Sequence, residues 1–315
     1  MTDLANGDRR LALALQGGGS FGAFEWGLLD RLLEDEVGFD AISGASAGAV
    51  NAVLLASGLQ RGGREGARKA LTGFWEDVAS GPSLPTFMLD ALAASAHFIS
   101  PYNYPLNLNP LRDLLKKHID FDQLRQHPPM RLLIAATRVR DGGGVIFREK
   151  DISVDVVLAS ACLPLLHRAV EIEGEAYWDG AFTANPPLRG LAIETSAADI
   201  LLVQIMPEET ESLPHSSTEI SLRAQIIVFN GSLQRELQAF HDLRSSINGP
   251  KAVLSPTGRK LRQQHLHRIS AADWVENLGS RSMMDTSATL LRSLRDAGRE
   301  AASDWIGRQE TKQAA

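Results

Sequence analysis

The sequence predicts an α/β fold: a three-layer α/β/α sandwich with a mixed, largely parallel sheet and a helical insertion. Two observations predict it. Strand, glycine-rich turn and apolar helix follow one another twice within about the first 60 residues, the pattern of parallel strands joined by crossover helices. Short apolar runs of strand length then return between residues 131 and 205, with no internal repeat and no low-complexity tract.

Leu11 to Leu15 is an unbroken apolar run and reads as a buried strand. Gly17 to Gly22 is a glycine-rich turn, and Phe24, Leu28, Leu29, Leu32 and Leu33 then fall on one helical face. Asp40 to Ser43 is a second strand. It meets Gly44-Ala45-Ser46-Ala47-Gly48, and an apolar helix continues over Ala49 to Ala56. Residues 60–130 read as a helical insertion opened by Gly62, Gly63 and Gly66. Within it, residues 81–110 mix Pro and Asn with Phe87, Phe98, Tyr102 and Tyr104, which makes this stretch the candidate for a lid or lipid contact. Asn109-Pro110 starts a helix, the Asn as N-cap and the Pro in the first turn. Strands follow over 131–137 and 144–147, an apolar helix over 154–161, a hairpin over 170–178 and a buried strand over 200–205. From about residue 215 the chain is mostly helical, with a strand-like interruption at Ala252-Val253-Leu254. Connections are short, so residues 1–315 are expected to form a single domain.

Composition excludes several classes. The net charge of −6 argues against a nucleic-acid-binding surface. The single cysteine, Cys162, permits no internal disulfide and no site of several thiolates; it reads as a small buried hydrophobe. The apolar run after Arg9-Arg10 is shorter than the roughly 7–15 residues of a signal sequence, and no window nears the roughly 20 apolar residues of a spanning helix. A cytoplasmic location is therefore expected, with contact on a membrane from outside left open, and neither cofactor nor metal is called for.

The chemistry concentrates in three motifs. Gly44-Ala45-Ser46-Ala47-Gly48 matches G-x-S-x-G between strand and helix, the nucleophile elbow, whose small neighbours let Ser46 Oγ project. Gly17, Gly18 and Gly19 occupy the other strand-to-helix turn, where bare backbone amides can face an anion. The same turn satisfies the dinucleotide fingerprint at Gly17, Gly19 and Gly22, so an oxidoreductase is the rival reading. Acidic residues do follow about 20 positions on, at Glu36 and Asp40, but the ribose acid should end the second strand, whereas Asp40 stands at its start. Asp179-Gly180-Ala181, followed by Asn185-Pro186-Pro187, is by itself an ordinary turn.

Taken together and in this order, Gly17-Gly18-Gly19-x-x-Gly22, the elbow at Ser46, and Asp179-Gly180-Ala181 resemble the patatin-like phospholipase family. Ala159-Ser160-Ala161-Cys162-Leu163-Pro164 is similar to a further block of that family, and the likeness spans about residues 11–205. The resemblance implies a Ser–Asp dyad: Ser46 as nucleophile, Asp179 as base, and Gly17, Gly18 and Gly19 as oxyanion-hole amides. It implies a lipid acyl ester as substrate, a phospholipid or lysophospholipid first. Phe21 stands where many members carry Arg or Lys, which counts against tight capture of an anionic head group. A third reading is a non-catalytic lipid-binding or scaffolding protein, against which the intact Ser46 and Asp179 speak. Of the eight histidines, none lies in a recognisable motif; His265-x-His267 is a metal candidate only if strand-like and lacks nearby acidic partners in the sequence, and His167 remains a candidate for the site wall.

Overall fold

A computed structural model describes residues 10–81, 100–103, 109–210, 213–246, 256–275, 278 and 283–314. In chain order the strands and α-helices are β1 (Arg10–Leu15), α1 (Gly22–Glu34), β2 (Gly38–Gly44), α2 (Ala47–Ser80), α3 (Pro110–His118), α4 (Phe121–Gln126), β3 (Arg131–Arg138), β4 (Gly144–Arg148), α5 (Val154–Ser160), β5 (Val170–Ile172), β6 (Glu175–Asp179), α6 (Leu188–Glu194), β7 (Asp199–Gln204), α7 (Ser217–Ser246), α8 (Pro256–Gln263), β8 (His265–Ser270) and α9 (Ala288–Ala314).

The strands form one mixed sheet in the order β5-β6-β3-β2-β1-β7-β8, with β4 paired to β3 as well. β3, β2, β1, β7 and β8 run parallel, and β4, β5 and β6 run antiparallel to their neighbours. The expected α/β sandwich with a largely parallel sheet is therefore what forms. β1 lies at the centre with Leu11 to Leu15 wholly buried, which explains why its sequence is a continuous apolar run rather than an alternation. Leu11, Leu13 and Leu15 join α1 and α2 in the larger core, while Ala12 and Ala14 face α6 and the inner side of α7.

The helix after the elbow is longer than the sequence suggests. α2 runs from Ala47 to Ser80 and bends at Gly62 and Gly63, where Gly63 takes φ +59°. These glycines kink the helix instead of ending it, because Ala67, Leu71, Phe74 and Trp75 beyond them regain a buried face. α3 begins as expected, with Asn109 Oδ1 accepting the Leu111 N–H at 3.2 Å and Pro110 in the first turn. Most of the lid candidate, residues 82–99 and 104–108, lies outside the described residues, as does Ala252-Val253-Leu254.

On α7, Ile226, Phe229, Leu233 and Phe240 are buried, whereas Ile220, Ile227 and Val228 are exposed. The chain closes with α9 laid along α1. Here the backbones touch: a Cβ on Gly27 would sit 1.8 Å from the Arg295 carbonyl oxygen, and one on Gly298 would sit 2.0 Å from that of Phe24. Asp30 on α1 binds Arg68 of α2 at 2.7 Å and also Arg299 of α9, tying the three helices together.

Candidate active site

β2 and β6 approach each other head to head. Both pair with the same edge of β3: Gly44 stands opposite Ile134, and Asp179 stands opposite Ala136. The other edge of β3 is taken by β4 over the same residues. The last residues of β2 and β6, Gly44 and Asp179, 135 positions apart in the chain, are thus separated only by the width of Ala135. Small side chains permit it. Ala45, Ala135 and Ala184 form a cluster of their own between the two strand ends.

Ser46 occupies φ 53° and ψ −123°, a conformation a non-glycine residue adopts only under constraint, at a cost of about 1–3 kcal/mol. The constraint is visible. Its N–H donates to the Ser160 carbonyl at 3.1 Å and to Ser160 Oγ at 3.0 Å, and its carbonyl accepts from Val50 in the first turn of α2. Gly44 and Gly48 serve close approach: a Cβ on Gly44 would lie 2.5 Å from the Gly48 carbonyl, and one on Gly48 would lie 2.3 Å from the Leu15 carbonyl oxygen. The elbow is thereby wedged between β1 and the end of α5, with the N-terminus of α2 at the serine.

Asp179 is fully buried. Its N–H donates to the Cys162 carbonyl at 2.9 Å, Thr137 Oγ1 donates to its carbonyl at 2.8 Å, and its Oδ1 accepts the Ala181 N–H at 2.8 Å. Oδ2 completes no hydrogen bond among the described residues, and the Ser46 side chain stands beside the carboxyl group. Burial pushes this carboxyl up to about 7, against the Ala181 N–H and the Ser46 side chain, which both pull it down. One short segment, Ser160 to Cys162, therefore holds the backbone of both Ser46 and Asp179.

The glycine turn packs directly on the elbow. A Cβ on Gly17 would lie 2.6 Å from both the Ala45 carbonyl oxygen and Ser46 Cβ. The Gly17 N–H is already engaged, donating to Asn185 Oδ1 at 2.6 Å. The N–H groups of Gly18 and Gly19, by contrast, bond nothing among the described residues. Phe21 is wholly buried and packs into the core.

Two residues that bind this site together are not marked by the motifs. Gln16, buried at the end of β1, accepts the N–H groups of Ile205 and Met206 through Oε1 and donates to Asn230 on α7. Ser232, also on α7, donates to the Ala181 carbonyl at 2.8 Å. Other candidates fall away. Asp40 lies at the opposite end of β2 from the glycine turn, its carboxylate bonded by Thr195 and Ser196, which counts against it as a ribose acid. His265 and His267 do lie on a strand, and Asp199 supplies the acidic partner that sequence proximity hid: His267 Nε2 is 2.8 Å from its Oδ1. Among the described residues no group of three or more metal-capable side chains gathers. Burial pushes the Cys162 thiol up to about 12, which fits a packing role.

The comparison with known families decides the affiliation: the family model for patatin-like phospholipase matches residues 13–192. The chain belongs to the patatin-like phospholipase family. The match runs from β1 to α6 and so contains the glycine turn, the elbow and Asp179. This patatin-like chain is also 27% identical over 220 residues to human patatin-like phospholipase domain-containing protein 2, an alignment covering 68% of this chain and 38% of that protein. The chain thus spans well under half the length of this relative. Solved structures with a partial likeness include VipD from Legionella pneumophila, with 14% identity, TM-score 0.40 and coverage of 94% of this chain and 67% of that one. ExoU in its complex with SpcU from Pseudomonas aeruginosa gives 15% identity, TM-score 0.32 and coverage of 97% and 62%. At these TM-scores neither likeness bears on the chemistry of the site. No helix among the described residues is long and apolar enough to cross a membrane.

Proposed function

We propose that the protein is a serine acyl hydrolase cleaving lipid acyl esters, phospholipid or lysophospholipid first, through an acyl-enzyme on Ser46. The observation that carries the reading is the apposition of a strained serine and a buried, half-unpaired carboxylate. Serine is a weak nucleophile until a neighbouring base removes its proton. A carboxylate with an ordinary pKa of 3.8 is a poor base at neutral pH; one raised to about 7 is well matched to the task.

In this mechanism Asp179 takes the Ser46 hydroxyl proton as Oγ attacks the ester carbonyl. The tetrahedral oxyanion is stabilised by the N–H groups of Gly18 and Gly19 beside the N-terminus of α2. Collapse expels the alcohol, which takes the proton from Asp179. Water, deprotonated by the same carboxylate, then releases the fatty acid and restores Ser46. Every step uses the chain's own groups. The buried Phe21 and the net charge of −6 favour a neutral or lightly charged acyl ester over tight docking on an anionic surface.

The test is labelling by a fluorophosphonate probe with turnover of a p-nitrophenyl acyl ester. Wild type should carry one adduct, on Ser46, and Ser46→Ala and Asp179→Ala should each lose turnover by at least about a thousandfold. Retention of wild-type turnover by either variant rejects the assignment.

A further inference from the structure

We propose that Asn185 is the positioning residue of the oxyanion turn, a role that rests on the acyl-hydrolase reading above. Its side-chain amide clasps the backbone of Gly17 from both sides: Oδ1 accepts the Gly17 N–H at 2.6 Å, and Nδ2 donates to the Gly17 carbonyl at 3.3 Å. Asn185 is fully buried and reaches across 168 positions of sequence.

The turn needs such a clasp. Gly17, Gly18 and Gly19 carry no side chains, and glycine has the largest backbone freedom to lose. An oxyanion hole works only when its donors are fixed before charge develops. Among the described residues, Asn185 supplies the one side chain that hydrogen-bonds any of these three glycines. Its neighbours are tied by backbone: the Ser20 N–H donates to Met283 and the Gln16 N–H to Val203. Asn185 stands six residues after Asp179. The same loop that presents the base therefore also sets the donors, and a displacement of either moves the other. The clasp consumes the Gly17 amide, which explains why that amide holds the turn while the next two face the reacting carbonyl.

The experiment compares wild type, Asn185→Ala and Thr195→Ala as a structural control at the far end of the sheet. Active sites are counted by fluorophosphonate labelling, and kcat and KM for a p-nitrophenyl acyl ester are expressed per labelled site. Asn185→Ala should lower per-site kcat by at least about tenfold with KM changed by less than about threefold, because the donors act on charge that exists only in the transition state. Thr195→Ala should lower the melting temperature while per-site kcat stays within about twofold of wild type. Per-site kcat of Asn185→Ala within about threefold of wild type overturns the proposal and leaves the acyl-hydrolase reading intact. A wild type that neither labels nor turns over overturns both. If Asn185→Ala does not fold, Asn185→Asp carries the test at about pH 8, keeping the acceptor for the Gly17 N–H and losing the donor to its carbonyl when ionised. The same tenfold loss supports the proposal, and the same threefold bound overturns it.

Discussion

Ser46 and Asp179 stand at the facing ends of β2 and β6, two strands that share one edge of β3. Parallel β2 delivers the serine and antiparallel β6 delivers the carboxylate to the same point, beside Ala135. A Cβ on Gly180 would lie 2.2 Å from the Ala135 carbonyl oxygen, so Asp179 is followed by the one residue that lets its strand end this close. The site is a product of strand direction, and the side chains on either side of the gap are small for that reason.

Activity should follow the ionisation of Asp179. In the proposed mechanism the carboxylate is the active form, and burial pushes its pKa up to about 7. kcat/KM for a neutral ester should therefore fall about tenfold for each pH unit below that value and level off above it. A profile that stays flat between about pH 5 and pH 8 removes Asp179 from the role of base.

The same burial makes Asp179 costly to stability. The folded pKa lies above the ordinary 3.8, so the folded protein holds the proton more tightly than the unfolded chain does. That advantage is complete at acid pH and is lost as pH rises through about 7. Asp179→Asn, which can still accept the Ala181 N–H, should melt higher than wild type at about pH 8, with the gain shrinking towards about pH 4. Thermal unfolding at the two pH values checks it; a variant that melts lower at both contradicts it.

Gly17→Ala should be the most damaging small change in the site. The added methyl would need space 2.6 Å from Ser46 Cβ and from the Ala45 carbonyl. Overpacking of this kind costs about 1–3 kcal/mol and here displaces Ser46, the proposed nucleophile. Per-site turnover should drop by at least about a hundredfold, since a misplacement of about 1 Å has that effect. Labelling rate and melting temperature measured together separate the two consequences.

Glu25 lies fully buried in the first turn of α1, with its carboxyl pushed well above the ordinary 4.5 by burial. Its Oε2 accepts from Asn51 Nδ2 at 2.8 Å, and Asn51 Oδ1 accepts the Trp75 indole N–H at 2.9 Å. This chain links the helix after the glycine turn to the helix after the elbow. Glu25→Gln keeps the acceptor and cannot ionise, so its stability should change less than wild type's as pH rises into the alkaline range. Glu25→Ala leaves one N–H of the Asn51 amide without its acceptor, the other still donating to the Gly22 carbonyl at 2.9 Å, and should cost about 1–3 kcal/mol in a denaturant titration. Equal stability of Glu25→Ala and wild type would contradict the linkage.

At the crossing of α1 and α9, Gly298→Ala should destabilise the fold without touching the chemistry. Its Cβ would sit 2.0 Å from the Phe24 carbonyl oxygen, so the helices must part. A loss of about 1–3 kcal/mol is expected, with kcat per labelled site unchanged. Changed per-site kcat would mean that the α9 contact bears on the reaction centre.

Much of the fold is legible in the residues themselves. β1, β2, β3, β4 and β7 are apolar runs with turn residues at their ends, and the stripe of Phe24, Leu28, Leu29, Leu32 and Leu33 is buried as its spacing requires. The three glycine- and aspartate-centred motifs mark where the chain must turn sharply, because few residues tolerate those turns. The kink in α2 reads locally as a helix end, since propensity at Gly62 and Gly63 says nothing of the buried face that resumes at Ala67. The exposed face of α7 is illegible for a related reason: Ile226 and Ile227 are neighbours in sequence, and only the packing partner chooses between them.

The residues alone specify a set of parts: where the chain can turn, which stretches must be buried, and which side-chain types can carry acyl chemistry. The relation between those parts belongs to the assembled fold. That β2, which leads into Ser46, shares an edge of β3 with the strand ending at Asp179, that Ser160 holds the Ser46 backbone, and that Asn185 occupies the Gly17 amide are relations across 114 to 168 positions. No local rule specifies such contacts, because their energies depend on buried hydrogen-bond geometry that exists only once the sheet has assembled.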